Sequence, residues 1–407
     1  MEGLLDKRLS QISNRRASSR EVDHVIQLYK SGFAGWNIAH SHSKYKAEFK
    51  GQRSYSWLKS VLQGVGVVKA AKRRGKHRIK RERAPLSGMM IHQDASTHRW
   101  IPQAVWDLVV TMDDATGEHT SMFFCAQEGT DSSFHGLGQT IARYGLFASL
   151  YTDRGSPYFT TPEAGGKVDK VNLTQVGRAL KQLGIGHIAA YSPGARGRSE
   201  RAFQTHQGRL PQELARAKIV DMVSANQYLE QVYRPAHNKQ FAIASTLPGT
   251  AFVPFISGSL PDILCEQAYR TVGNDNCVSF EGMDLQIPAD KHRYHYVRAQ
   301  VRVHRYVDGT LALFHGPRKL AAYDACGIHI KDREDQLLAA SGSADKSARW
   351  LHSRFGLRPT LLCSHRIHIE KSGQSICFKT RQFYLLLTRG LGQAEVGLKA
   401  FPPFVDY

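Results

Sequence analysis

Three acidic residues stand where they could act together on a phosphodiester bond. Asp94 lies near the end of the apolar run in MMIHQDAST, Asp153 ends the run LFASLYT, and Glu200 lies in SPGARGRSERAFQ. Phosphodiester cleavage needs clustered hard oxygen ligands, because two Mg²⁺ ions roughly 3.5–4 Å apart stabilise the attacking and leaving oxygens. Mg²⁺ prefers carboxylates and retains several waters, so two Asp and one Glu suffice. These residue types therefore indicate two-metal chemistry.

Each of these acids also has an ordinary structural explanation. Glu200 would favour the first turn of a helix through the helix dipole, and Asp153 in TDRGS would suit a turn. A chain with 35 acidic residues carries many such groups on its surface. The catalytic interpretation therefore depends on the elements that carry the acids, which are predicted to be a strand, a second strand and a helix.

From residue 88 the hydrophobic pattern predicts three strands followed by alternating helices and strands. The predicted strands are 88–97, 105–112, 120–126, 146–152 and 185–191, and the predicted helices lie near 134–144, across 173–183 and from about 197 past 210. This order predicts a mixed sheet with helices on its faces. Strand ends and a helix start could then bring the three acids to one edge of the sheet.

The N-terminal region is predicted to be largely helical over residues 19–64. Ser18 and Glu21 have the spacing of a capping box, apolar residues recur at helical spacing through Tyr29, and Gly32 marks a candidate end. A second helix is predicted over 54–62. Short helices of this kind suit a DNA-binding helix-turn-helix, and a generic three-helix packing module is the alternative.

A dense basic segment follows, KAAKRRGKHRIKRER at residues 69–83, in which nine of 15 residues are Lys or Arg. Like charges repel and keep such a segment extended, so it is predicted to be a linker that also lies along a DNA backbone. The candidate DNA-contacting residues are Lys72, Arg73, Arg74, Lys76, Arg78, Lys80 and Arg81 here, together with Arg198 and Arg201 beside Glu200.

Residues 276–323 are predicted to form a small β-barrel. The run VRAQVRVH alternates strictly, and Asp308-Gly309 is a hairpin turn. Arg298, Arg302 and His304 fall on the polar side of the strand, where they would contact phosphates or face water. Residues 326–407 show no pattern that predicts a structure.

Composition favours a polyanionic partner. The 407 residues carry a net charge of +20 with a pI near 9.8, and nucleic acid is the first candidate because neutralised phosphates release counterions. No apolar run approaches the ~18–20 residues that span a bilayer, and the N-terminus does not resemble a signal peptide. None of the six cysteines forms a CxxC pair. A cytoplasmic, nucleoid-associated protein without a membrane partner is expected.

Residues 88–245 resemble the catalytic core of DDE transposases of the retroviral-integrase type. The matching segments are IHQDAST, LYTDRGS and YSPGARGRSERAFQTHQGRLPQEL. Within this group, the chain resembles the ISNCY-like insertion-sequence transposases. The segments that carry this resemblance are YRPAHNKQFA, the basic run before Asp94, VSFEGMDLQIP and VRVHRYVDGTLALFHGPRKLAAYD. The resemblance covers residues 12–325 and is specific as a set.

This resemblance implies an α/β multidomain chain whose core has an RNase H-like mixed sheet. It implies that Asp94, Asp153 and Glu200 are the catalytic, metal-binding triad for two Mg²⁺ ions, with Mn²⁺ as a substitute. It further implies action on double-stranded DNA, at terminal inverted repeats and in target DNA, by a homo-multimer. The expected domains are a helical helix-turn-helix region (1–68), a basic linker (69–87), the catalytic core (88–245), a linker with the β-barrel (246–325) and an unassigned tail (326–407).

The sequence departs from the family pattern in its spacing and its ends. Asp153 and Glu200 are 47 positions apart, longer than is typical, and the excess is predicted to be a surface loop around 160–172. The N-terminal region looks shortened, and the tail does not resemble the family.

Two other functions are open at this stage. A catalytically inactive transposase relic or repressor would share the basic charge and the helical region, but would not need the acidic triad. A metal nuclease or RNase H-type hydrolase would share the triad, but would not need the N-terminal helices or the C-terminal barrel.

Overall fold

The computed structural model describes residues 16–70, 82–162, 166–169, 171–191, 197–256, 258–289 and 292–330, with four strands between residues 368 and 399. The chain divides into two compact units, Met1–His329 and Ile330–Tyr407. Among the described residues, no helix combines the length and the apolarity that crossing a bilayer requires.

Three helices form the N-terminal region. They are α1 (Ser19–Gly32), α2 (Ile38–Glu48) and α3 (Tyr55–Gly64). The Ser18 hydroxyl accepts a hydrogen bond from the Glu21 N–H, but the Glu21 carboxylate pairs with Arg53 instead of completing the capping box. Apolar side chains of all three helices share one core, with Val25, Tyr29, Phe33, Ile38, Tyr45, Leu58 and Leu62 buried. The predicted helices are confirmed, and their use as a DNA-binding helix-turn-helix stays a prediction.

A five-stranded mixed sheet forms the centre of the first unit. Its strands are β1 (Ile91–Ile101), β2 (Ala104–Asp113), β3 (His119–Cys125), β4 (Ser149–Thr152) and β5 (Gly186–Ala189). The strand order is β3-β2-β1-β4-β5. β2 is antiparallel to both of its neighbours, β1 and β3. β4 runs parallel to β1, and β5 runs parallel to β4. The predicted mixed sheet is thus confirmed.

Helices cover both faces of this sheet. They are α4 (Thr130–Tyr144), α5 (Gln175–Gln182), α6 (Gly197–Gln207), α7 (Leu210–Arg216), α8 (Met222–Tyr228) and α9 (Arg234–Phe241), with a π-helical turn at Leu229–Tyr233. One face packs against α4 and α5 through residues such as Leu137 and Leu180. The other packs against α6 to α9 through residues such as Phe203 and Leu229.

The helix predicted to run from residue 197 past 210 is interrupted. α6 ends at Gln207, and α7 begins at Leu210 with Pro211 in its first turn. Proline has no N–H, and its ring would clash with the carbonyl four residues earlier in a continuous helix. The break therefore follows from Pro211, which the apolar periodicity does not reveal.

A short helix, α10 (Leu260–Ile263), precedes a smaller β region. Its strands are β6 (Glu266–Thr271), β7 (Cys277–Phe280), β8 (Met283–Gln286), β9 (Gln300–Arg305), β10 (Leu311–His315) and β11 (Arg318–Tyr323). They form an antiparallel sheet ordered β11-β10-β9-β6 and a β7-β8 hairpin. These described strands do not close into a barrel, so of the predicted barrel only the small β architecture is found.

The interpretation of His304 as a polar-face residue is wrong. Its side chain is buried and stacks on Phe314, with ring centroids 4.1 Å apart. Strict alternation fails at the end of β9, where Val303 and His304 are both buried. Arg302 remains partly exposed, as predicted.

The second unit contains an antiparallel sheet of four strands in chain order. They are β12 (His368–Ser372), β13 (Ser375–Lys379), β14 (Tyr384–Thr388) and β15 (Val396–Lys399). Part of the tail that the sequence left unassigned is therefore β structure.

Candidate active site

Asp94 lies within β1 on the face that α6 covers. Side chains alternate between the two faces of a strand, and the neighbours His92 and Ser96 both point to the α6 side. Ser96 accepts a hydrogen bond from Gln207 of α6 at 3.0 Å, and His92 contacts Asp114, which is ion-paired with Arg198 of α6. Asp94 lies between these two contacts and is 9% exposed.

Asp153 follows β4 directly and lies beside Asp94. β1 and β4 pair in parallel, with Ile91 opposite Leu150 and His92 opposite Tyr151. The same register, continued by two residues, sets Asp153 opposite Asp94. Gly155 donates its N–H to the Asp153 carboxylate at 2.8 Å, and a Cβ at this glycine would come within 2.9 Å of the same oxygen. Gly155 therefore allows a turn that holds the carboxylate at the strand end.

Glu200 is exposed and lies in the first turn of α6. It precedes Gln207 by seven residues, about two helical turns, so both residues occupy one side of the helix. α6 runs along β1 in the same direction, from Arg198 beside Asp114 to Gln207 beside Ser96. Glu200 therefore lies on the stretch of α6 between its contact with Asp114 and its contact with Ser96.

A fourth carboxylate, Glu128, approaches the same place and was not among the predicted residues. It follows β3 and precedes α4, and the Tyr158 hydroxyl donates a hydrogen bond to it at 3.1 Å. Burial raises the pKa of the Glu128 carboxyl to about 7, and the negative charges of Asp153 and Asp94 add to the shift. Its position after a strand is the signal that could have found it, because Asp153 was selected for the same reason.

Asp94, Asp153 and Glu128 form an oxygen-rich, negatively charged group, and Glu200 lies on α6, which covers the same face of the sheet. Among the described residues, the one group of three potential metal ligands within 4.8 Å of one another consists of histidines, so the acids are not drawn together to that spacing. The pKa of Glu128 is nevertheless raised by burial first and then by the charges of Asp153 and Asp94, so Glu128 lies within electrostatic range of both. A divalent cation with a preference for oxygen would relieve this repulsion, and the donor set fits such an ion.

The candidate DNA-contacting residues divide into two groups. Lys72, Arg73, Arg74, Lys76, Arg78, Lys80 and Arg81 lie outside the described residues. Arg201 is exposed on α6, whereas Arg198 is largely buried and ion-paired with Asp114. Arg198 therefore attaches the start of α6 to the sheet, a role that its position beside Glu200 in the sequence did not indicate.

The comparison with solved structures finds retroviral proteins. A chain of the simian T-cell lymphotropic virus intasome, in complex with the PP2A regulatory subunit B56 gamma, is 15% identical with a TM-score of 0.33, covering 70% of this chain and 95% of that chain. The HTLV-2 integrase catalytic core domain, in complex with magnesium, is 16% identical with a TM-score of 0.29, covering 37% of this chain and 90% of that chain. No family model matches the chain.

Two curated proteins are similar in sequence. The transposase for insertion sequence IS1202 of Streptococcus pneumoniae is 32% identical over 235 residues, which are 57% of this chain and 50% of that protein. The protein y4bF of Sinorhizobium fredii, assigned as a transposase, is 28% identical over 312 residues, which are 75% of this chain and 67% of that protein. The chain thus spans between half and two thirds of the length of these relatives. By sequence, the chain is similar to one insertion-sequence transposase and to one further protein assigned as a transposase.

Proposed function

We propose that this protein is a DDE-type transposase that cleaves DNA at the ends of an insertion sequence and joins those ends to target DNA. The arrangement of Asp94, Asp153 and Glu200 carries the proposal. Asp94 lies in β1, Asp153 directly follows β4, the parallel neighbour of β1, and Glu200 lies in the first turn of α6, which covers the face of β1 that carries Asp94. This placement supports a shared metal site. The sequence relationship to insertion-sequence transposases supports the same conclusion, and we infer an RNase H-like core for residues 88–245.

Asp94, Asp153 and Glu200 would hold two Mg²⁺ ions, for which Mn²⁺ could substitute. When bound, Mg²⁺ supplies Lewis acidity and neutralises the charge that develops on the phosphodiester oxygens. The chain's own residues fix the geometry: Gly155 N–H orients the Asp153 carboxylate, and Arg198 attaches the helix that carries Glu200. Glu128, with a pKa near 7, could hold or release a proton beside this site at neutral pH.

Double-stranded DNA is the proposed partner, both as terminal inverted repeats and as target. A net charge of +20 supports a polyanionic ligand. In this proposal the basic linker follows the phosphate backbone, the N-terminal helices act as a helix-turn-helix, and the chain works as a homo-multimer on DNA. The exposed Arg201 would contact phosphate close to the catalytic acids.

The test is a Mg²⁺-dependent assay on DNA that carries the ends of the element encoding this chain, with a target plasmid present. We expect nicking at the ends and joined products with the unaltered chain. Asp153→Asn should reduce both by at least about 100-fold, equivalent to about 2.7 kcal/mol, while DNA binding is retained. Asp308→Asn is the matched control, because Asn-Gly also suits that hairpin turn.

Three results would contradict the proposal. Undiminished cleavage by Asp153→Asn would remove the acid triad from the chemistry. Cleavage without any joined product would indicate a nuclease. Binding to the ends without cleavage in Mg²⁺ or Mn²⁺ would indicate an inactive relic or a repressor.

A further inference from the structure

Three histidines from distant parts of the chain meet on the α6 side of the sheet. His119 begins β3, His206 lies in the last turn of α6, and His237 lies in α9. All three are buried, with 1%, 0% and 7% of their surfaces exposed. One ring nitrogen of each lies within 4.8 Å of the others. Three histidines are a known donor set for Zn²⁺, in which a water molecule completes the tetrahedron.

The orientations of the rings suit metal binding. Nε2 of His119 and Nε2 of His206 are hydrogen-bonded at 2.9 Å, and a small separation to about 3.3 Å would let both bind one tetrahedral Zn²⁺ in place of the shared proton. The outer nitrogen of each ring has a separate partner. Nδ1 of His119 is 3.2 Å from the Gly117 carbonyl oxygen, and Nδ1 of His206 is 3.1 Å from the Tyr233 hydroxyl. Such outer partners orient the rings of metal-binding histidines.

The third histidine, His237, has a buried ring nitrogen, Nδ1, without a hydrogen-bond partner. A buried polar nitrogen without a partner costs about 1–3 kcal/mol, and a metal ion bound through Nδ1 would remove that cost. α9 is held beside β3 by Asn238, whose amide bonds both backbone groups of His119 at 2.9 and 3.0 Å. The helix that carries the third ring is therefore held against β3 by contacts that need no ion.

The neutral nitrogen donors of this cluster suit a nitrogen-preferring ion better than Mg²⁺. Burial lowers the pKa of His119 and His206 well below the usual value and that of His237 to about 4, so all three rings are neutral near pH 7, the form that binds metal. Arg209 and Arg234 lie close enough to oppose a cation. Arg234 is paired with Glu230 at 3.0 Å, which offsets part of that repulsion.

We propose that His119, His206 and His237 bind one Zn²⁺ ion, at a structural site separate from the carboxylates. The ion would join β3, α6 and α9, and would thereby fix the helix that carries Glu200. The site takes three neutral nitrogen donors, which suit Zn²⁺ and Co²⁺, whereas the carboxylates offer the hard oxygen donors that suit Mg²⁺. Zinc binding does not depend on the proposed transposase activity.

The test uses the full chain, stripped of metal and kept in excess Mg²⁺ so that the carboxylates are saturated. Addition of ZnCl₂ should give about one bound Zn²⁺ per chain and a higher Tm, and CoCl₂ should give the visible absorption of tetrahedral Co²⁺. His206→Gln and His237→Gln should each weaken Zn²⁺ binding by more than about 100-fold, beyond what loss of an outer partner causes. His304→Gln, at another buried histidine, should bind Zn²⁺ like the unaltered chain.

The unaltered chain alone can overturn the proposal, even if a variant fails to fold. Absence of stoichiometric Zn²⁺ together with absence of a tetrahedral Co²⁺ spectrum would leave the histidines as a packed, hydrogen-bonded cluster. Equal Zn²⁺ binding by the folded His237→Gln and His304→Gln variants would also overturn it, because the ion would then lie elsewhere.

Discussion

Glu128 has a partly buried carboxyl group whose pKa responds to the charges of the candidate catalytic residues Asp153 and Asp94. Its carboxyl has a pKa of about 7, because it is buried and faces the charge of Asp153 and Asp94. Perturbed carboxyl groups of this kind concentrate at functional sites. In the unfolded chain the same group has a pKa near 4.5, so the protein binds the Glu128 proton more tightly when folded.

We predict that Glu128→Gln stabilises the metal-free protein at pH 8 and has little effect at pH 5. Because the pKa of Glu128 is higher in the folded state, its proton stabilises the folded protein below about pH 4.5. This stabilisation is lost as the pH rises to about 7 and Glu128 ionises in the folded protein. The neutral amide avoids that loss, which should amount to about 1–3 kcal/mol at pH 8. Denaturant unfolding at both pH values measures the difference. Glu281→Gln, at an exposed turn, is the control variant. An equal effect of Glu128→Gln at pH 5 and pH 8 would contradict the raised pKa of Glu128.

Asp114 is a buried acid held by two basic side chains. Burial alone would raise the pKa of Asp114, but hydrogen bonds from His92, from the Ala84 N–H and from Arg198 hold it well below the usual value. The Asp114 side chain is 1% exposed and that of Arg198 is 19% exposed. Removal of Arg198 would leave the buried charge with less compensation.

We predict that Arg198→Ala destabilises the protein by about 2–3 kcal/mol near neutral pH, because one partner of a buried pair is lost. The depressed pKa of Asp114 means that this stabilisation is present above about pH 4 and declines as pH falls. Urea unfolding at pH 7 and pH 3.5 should therefore show a smaller difference at the lower pH. Arg201→Ala, at an exposed position three residues later, should change stability by less than about 0.5 kcal/mol. Equal destabilisation by both variants would contradict this account of Arg198.

Much of the secondary structure could be predicted from local sequence signals, whereas the contacts between elements could not. Ser18 and Ser54 cap their helices by accepting hydrogen bonds from backbone N–H groups three residues later. Such helix starts can be predicted from four consecutive residues. The sheet strands were likewise predicted from their apolar runs. The histidine cluster joins positions 119, 206 and 237, and no local pattern relates them. Glu128 was missed because its pKa depends on residues brought close only by the fold.

The second N-terminal helix illustrates the same limit. α2 lacks a clear apolar stripe, and its buried residues include the polar His40 and Ser41. His40 and Lys44 bind the carboxylate of Glu213 in α7, at 2.7 and 2.9 Å. α2 is therefore stabilised by a polar contact with α7, a contact that periodicity cannot indicate.

We predict that Glu213→Gln weakens the docking of the N-terminal helices on α7. Burial opposes ionisation of Glu213, but His40 and Lys44 lower its pKa to about 2. Its contribution is thus present above about pH 4.5 and is lost as pH falls, and we expect a loss of about 1–3 kcal/mol at pH 7. Hydrogen exchange should show faster opening of residues 19–64, with the central sheet unchanged. Glu48→Gln, which breaks the more exposed pair with Arg216 between the same two helices, should cost less than about 1 kcal/mol.

The charge of the candidate active site is opposite in sign to the charge of the whole protein. The candidate active site concentrates carboxylates that need cations, whereas the chain as a whole carries +20 and needs anions. A DNA phosphodiester would approach a negative site on a positive protein, so the basic residues must supply the attraction that the acids oppose. Long-range attraction of this kind is sensitive to salt.

We predict that DNA affinity falls steeply with salt and that the basic linker contributes a measurable part of the slope. Replacing Arg73, Arg74 and Lys76 by alanine removes three positive charges, which should reduce the slope of log K against log [salt] by about 2–3 if each neutralises one phosphate. Fluorescence anisotropy across a salt series gives this slope. The control keeps the charges, with Arg73→Lys, Arg74→Lys and Lys76→Arg, and should retain the slope because counterion release depends on charge rather than on side-chain shape. An unchanged slope in the alanine variant would mean that the linker does not follow the phosphate backbone and that DNA is held by other basic residues, with the exposed Arg201 on α6 the next to test.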